Sequence, residues 1–105
     1  MEARIVLITY PQGAETSAQA FARRLVEAGL AACVNLVPVH SVYRWQGRIE
    51  EDAEVLLIVK TRTQDLEPLE RFVHQHHPYE VPEFVVLTPS HVAPAYLQWL
   101  LQPES

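Results

Sequence analysis

Two adjacent histidines, His76-His77, are the residues in this 105-residue chain best suited to hold a metal. Imidazole nitrogen suits copper and zinc, and neighbouring rings at a helix end can offer two donors near one point. Two ligands leave such a site incomplete, because a tight centre uses three or four. His74 does not complete it, since on a helix His74 and His76 point about 200° apart. His40 and His91 are isolated and read as surface or capping residues. A competing reading packs His76 against a sheet and leaves His77 to cap the helix C-terminus, where an imidazolium meets the dipole favourably.

A second constellation is Lys60 with Tyr79, Glu80 and Glu83, joined by Trp45 from a neighbouring subunit. Lys60 ends a strongly apolar stretch, where an ammonium needs a carboxylate partner. The segment 77–82 is held between two prolines and carries one phenol and one acid. Between subunits these groups form a cleft for a small anion or metabolite; the plainer alternative is a Lys60–Glu80 ion pair that pins the loop. Cys33, the lone cysteine, allows no internal disulfide and reads as a small hydrophobe on an inner strand. The acids Glu50-Glu51-Asp52 read as a solvated cluster that protects a sheet edge. Three glycines build no phosphate-binding loop, and no Ser or Cys nucleophile motif is present, so the expectation is a protein that is not an enzyme.

The elements that position these groups follow from periodicity. The apolar run over 3–9 predicts a strand buried on both faces. Thr16 or Ser17 can cap the next helix, on which Ala18, Phe21, Ala22, Leu25 and Val26 form one stripe, with Gly29 at the left-handed position past its end. Residues 30–45 are extended, with Pro38 confined to a bulge, bend or edge. Gln46-Gly47 makes a two-residue hairpin turn, and a return strand covers 48–61. A helix over 65–76 is capped by Asp65 and tolerates Pro68 in its first turn. A strand over 84–88 and a short helix from Pro94 complete the chain. The order predicts a single α+β domain over 1–105, a ferredoxin-like βαββαβ sandwich with both main helices on one face and a long central hairpin.

Hairpin strands of about fourteen residues exceed the usual five or six. Their outer half therefore projects past the flanking strands with Tyr43 and Trp45 near its tip, and exposed edges of that kind invite a second chain. An oligomer is expected. The formal charge of −5 and the scattered cations argue against nucleic acid and anionic membranes as partners. The apolar run at 5–8 is too short for a signal-peptide core or a membrane span, which makes the cytoplasm the default compartment.

Five blocks carry a family resemblance: LVEAGLAACVN (25–35), SVYRWQG (41–47), IVKT (58–61), HPYEVPE (77–83) and YLQW (96–99). In this order and spacing the chain resembles the CutA divalent-cation tolerance family. The resemblance implies a homotrimer with a fold similar to the PII signalling proteins, which bind ligands between subunits, and a link to copper and other divalent metals. Copper or another divalent metal on His76 and His77 is the cofactor it implies. In relatives credited with copper binding a cysteine joins the pair from the first strand, just before a Thr-x-Pro turn; here that position is Ile8. Three roles are open: metal tolerance with copper binding, a PII-like sensor of a small anion, or a trimeric scaffold.

Overall fold

The computed structural model describes residues 1–102. The elements are β1 (Ala3–Pro11), α1 (Ala18–Glu27), β2 (Cys33–Trp45), β3 (Arg48–Arg62), α2 (Leu66–His76), β4 (Val85–Leu87) and α3 (Pro94–Leu101), with a short 3-10 turn, Thr63–Asp65, before α2. All strand pairs are antiparallel, in the sheet order β2-β3-β1-β4. This is the ferredoxin-like α+β arrangement.

Strand alternation sorts the side chains onto two faces. Val6, Ile8 and Tyr10 oppose Val59, Leu57 and Val55, and these meet Phe21 and Leu25 of α1 and Leu69 and Val73 of α2 in one core. Phe21 sits at its centre, with ring centroids 4.9 Å from Tyr10 and 5.9 Å from Phe72. The opposite face carries Ile5, Leu7, Leu56 and Ile58, all only half-buried. β1 is thus sealed on one face rather than on both, because α3 covers only part of the other. α3 packs on β3 and β1 through the buried Leu100.

The local signals act largely as their chemistry dictates. Ser17 accepts the Ala20 N–H at 3.1 Å and starts α1, and Gly29 follows its end at φ +74°. Asp65 does not cap α2 with its side chain. Its carboxylate accepts instead from Arg62 Nε at 2.7 Å, a partly buried ion pair stronger than a cap bond in the same place. Pro38 opposes Val55 in an unbroken ladder, so the hairpin neither breaks nor folds back there. The proline is tolerated because β2 is an edge strand with one side open.

The hairpin outruns its support. β1 pairs with β3 only as far as Pro11↔Glu54, whereas β2 and β3 continue pairing to Trp45↔Arg48. Gln46 (φ +51°) and Gly47 (φ +79°) close the tip with two left-handed residues, as a two-residue hairpin turn of matching twist requires.

Candidate functional site

β4 pairs with β1 only over Ile5–Leu7, so the Thr9 carbonyl lies past the end of that ladder. His77 takes it. Leaving α2 in an extended conformation (φ −78°, ψ 139°), His77 turns its ring into the core, with Nε2 donating to Thr9 O at 2.8 Å and Nδ1 accepting the Tyr79 N–H at 3.0 Å. Tyr10 and Phe21 pack edge-on against it at centroid distances of 5.1 and 6.0 Å. Burial holds the imidazole below its usual pKa, partly offset by the Thr9 bond and the charge of Glu54.

This anchoring aims the next residues at the hairpin. The Tyr79 hydroxyl donates to Glu54 Oε2 at 2.5 Å, and Gln12 Nε2 donates to the Glu54 carbonyl at 3.2 Å. Glu54 stands where the hairpin leaves the sheet and is only 5% exposed. Burial, then the bond to Glu54, pushes the Tyr79 phenol well above its ordinary range. Further out, the Tyr43 hydroxyl donates to Asp52, which pushes that phenol up to about 12.

Between the hairpin and the loop lies a cleft of about 570 Å³, of a size usual for small-ligand sites. Ser41, Tyr43, Trp45 and Glu54 form its hairpin wall; Tyr79, Glu80 and Glu83 form its loop wall, with Thr9 and the prolines 78 and 82 also in the lining. Burial, then proximity to Glu54, raises the Glu83 carboxyl above its ordinary pKa.

Four of the five expected pocket residues, Trp45, Tyr79, Glu80 and Glu83, therefore meet, and the chain's own Trp45 is among them. Lys60 does not join them. It lies six positions further along β3, about 20 Å away at strand rise, and donates to Asn35 Oδ1 across the ladder. It makes no ion pair with Glu80. Glu54 is the site residue that sequence reasoning passed over.

The His76-His77 pair is not a chelate in this conformation. Both ring nitrogens of His77 are engaged inside, while His76 is exposed, its ring tilted against Phe72 at a centroid distance of 4.4 Å. The capping alternative is likewise reversed: His77 packs inward and His76 faces out. His74 pairs with Glu70 at 3.5 Å, and Ile8 is fully buried in the core. Among the described residues no three His, Cys, Asp or Glu side chains converge as a metal site. Cys33 is half-buried beside Tyr96, whose phenol is raised by burial and then by that thiol.

The fold defines the class: a ferredoxin-like α+β protein whose fold is PII-like. The family model described as CutA1 divalent ion tolerance protein matches residues 4–103, and the chain belongs to that family. The divalent-cation tolerance protein CutA of Thermus thermophilus is 50% identical over 97 residues, covering 91% of this chain and 92% of that one. Its solved counterpart, titled divalent cation tolerance protein (Cut A1), superposes with a TM-score of 0.89 at 46% identity over 98% and 99% of the two chains. A structure titled PII-like protein CutA from Nostoc, in apo form, gives 0.85 at 40% identity over 92% of each. Protein CutA of mouse is 47% identical over 89 residues, and the chain spans 50% of that longer relative.

No described helix is long and apolar enough to cross a membrane. Relatives are described as periplasmic in Archaeoglobus fulgidus and chloroplastic in Arabidopsis thaliana, so members of the family are assigned to more than one compartment.

Proposed function

We propose that this chain works as a homotrimer that serves divalent-cation tolerance as a PII-like sensor, with its ligand received in the cleft between hairpin and loop. The observation that carries the reading is the Tyr79–Glu54 bond, which fastens the loop to the hairpin stem beside the cleft. An occupant there is felt by the element that other subunits would grip. In this reading the protein binds and does not catalyse, and its compartment is the cytoplasm.

Assembly is supported by what one chain leaves uncovered. Val42 and Ile49 are 62% and 61% exposed on one face of the projecting hairpin, and Val37, Val85 and Leu87 are exposed on the other face of the sheet, opposite the main helices. Surface of that kind marks an interface. Light scattering on the purified protein should give about 36 kDa, three times the 12.0 kDa chain; a 12 kDa species at micromolar concentration would sink the trimer.

Copper or another divalent metal is the alternative effector, and the geometry favours it less, since His77 is committed to the fold. Calorimetric titration with Cu(II), Cu(I) and Zn(II) separates the two. Binding that His76→Ala abolishes would restore the histidine pair as a metal site; unchanged binding, or none, would end it. A thermal-shift screen of small metabolites tests the sensor, and the absence of any stabilising compound would leave a trimeric scaffold.

A further inference from the structure

Three aromatic rings and three carboxylates share the cleft. Tyr43, Trp45 and Tyr79 supply π faces, Glu54, Glu80 and Glu83 supply negative charge, and no Lys or Arg is in the lining. We propose that the ligand class of this cleft is a small organic ammonium, primary or quaternary, rather than an anion; this rests on the reading of the cleft as a ligand site.

Glu54 carries the argument. Its Oε2 is occupied by the Tyr79 hydroxyl, while its Oε1 takes no hydrogen bond among the described residues. The residue is 5% exposed and lines the cleft, and among the described residues no buried side-chain oxygen lacks a partner, so the free Oε1 is the part of this carboxylate that still faces the cleft. Burying a carboxylate is costly unless a positive group or donors answer it. Glu83 adds to that demand, because burial and Glu54 together disfavour its ionised form. An incoming cation relieves both groups, whereas an incoming anion meets three acids with no counter-charge.

The chemistry of the walls selects among cations. A hard divalent ion takes about six or more oxygen ligands, a softer one such as zinc takes a compact His/Cys set, and no three His, Cys, Asp or Glu groups converge as such a site among the described residues. Ring faces cannot ligate such an ion. They do attract the diffuse charge of an alkylammonium, and their apolar area accepts its carbon substituents. Trp45, 45% exposed at the hairpin end, can close over such a group.

The test uses the full chain with choline as the ammonium probe, 3,3-dimethylbutan-1-ol as its uncharged isostere and 3,3-dimethylbutanoate as the anion. Binding is followed by the indole and Tyr79 amide resonances in NMR titrations. Choline is expected to bind, with the isostere weaker by about tenfold or more. Glu54→Gln, which retains an acceptor for the Tyr79 hydroxyl, should reduce choline affinity by a similar factor. Trp45→Leu checks the aromatic contribution, with light scattering on the variant confirming that it still assembles as the parent does. The proposal is overturned if choline leaves these resonances unmoved, if the isostere or the anion binds as well as choline, or if Glu54→Gln binds choline undiminished. Cleft shifts with the anion alone would refute the ammonium class and keep the cleft as a site. No cleft shift with any probe or with hits of the metabolite screen would refute the ligand-site reading itself.

Discussion

Tyr79 and Glu54 are twenty-five positions apart in sequence and 2.5 Å apart in space. One belongs to the loop after α2 and the other to the stem of the hairpin. Removing the hydroxyl with Tyr79→Phe strips a nearly buried carboxylate of its one side-chain donor among the described residues, which should cost about 1–2 kcal/mol. In a Glu54→Leu background the same change should cost much less. Chemical denaturation of the four proteins in the cycle measures the coupling, and strict additivity would mean the bond contributes nothing.

His77 makes stability pH-dependent with a known sign. Its folded pKa lies below the usual 6.5 because burial penalises the imidazolium. As pH falls below 6.5 the unfolded imidazole takes up a proton that the folded one resists, so stability is lost from there down to the folded pKa. Melting curves between pH 7.5 and 5 should show this slope, and His77→Gln should flatten it while costing about 1–3 kcal/mol at pH 7.5. An equal slope in the variant would place the titration elsewhere.

Glu83 works in the opposite sense. Its folded pKa is raised above the usual 4.5, so its ionisation opposes folding once pH exceeds that value. Glu83→Gln should therefore melt higher than the wild type at pH 7. The gain should shrink as pH is lowered and disappear below about 4.5. A variant less stable than wild type at pH 7 would show that the carboxylate is satisfied in the folded cleft.

Gln46 holds φ +51° at the hairpin tip, a region that costs most non-glycine side chains about 1 kcal/mol. Asparagine tolerates it better and makes the preferred Asn-Gly turn. Gln46→Asn should stabilise the protein by a few tenths of a kcal/mol, and Gly47→Val should destabilise it by about 1 kcal/mol or more. Equal midpoints in urea for all three would indicate a tip that contributes nothing to stability.

Much of the fold is legible because local signals agree with it. The stripe from Ala18 to Leu25, the glycine past its end and the Gln46-Gly47 turn each need only their neighbours to be read, whereas Val26, expected on the same stripe, is exposed. The histidines mislead for a definite reason. Helical periodicity places His76 on the stripe of Leu69, Phe72 and Val73, but the helix ends at His76, and the extended residue after it swings His77 inward. The partner of Lys60 depends on strand register, which sets Asn35 within its reach. Glu54 is hidden at the end of an acidic run; the usable signal is its place directly before the apolar stretch 55–59, where a solvated hairpin becomes a sheet.

Pro38 gives the open edge of β2 a consequence for how far assembly can go. It cannot donate, so a strand from another chain adding along this edge meets a missing hydrogen bond midway. Growth by repeated strand addition is interrupted there, while contacts made by the hairpin beyond it are not. Pro38→Val should therefore make the chain form more sedimentable, thioflavin-positive aggregate on mild heating than the parent does. A variant that aggregates no more than the parent would show that the imino acid does not limit strand addition at this edge.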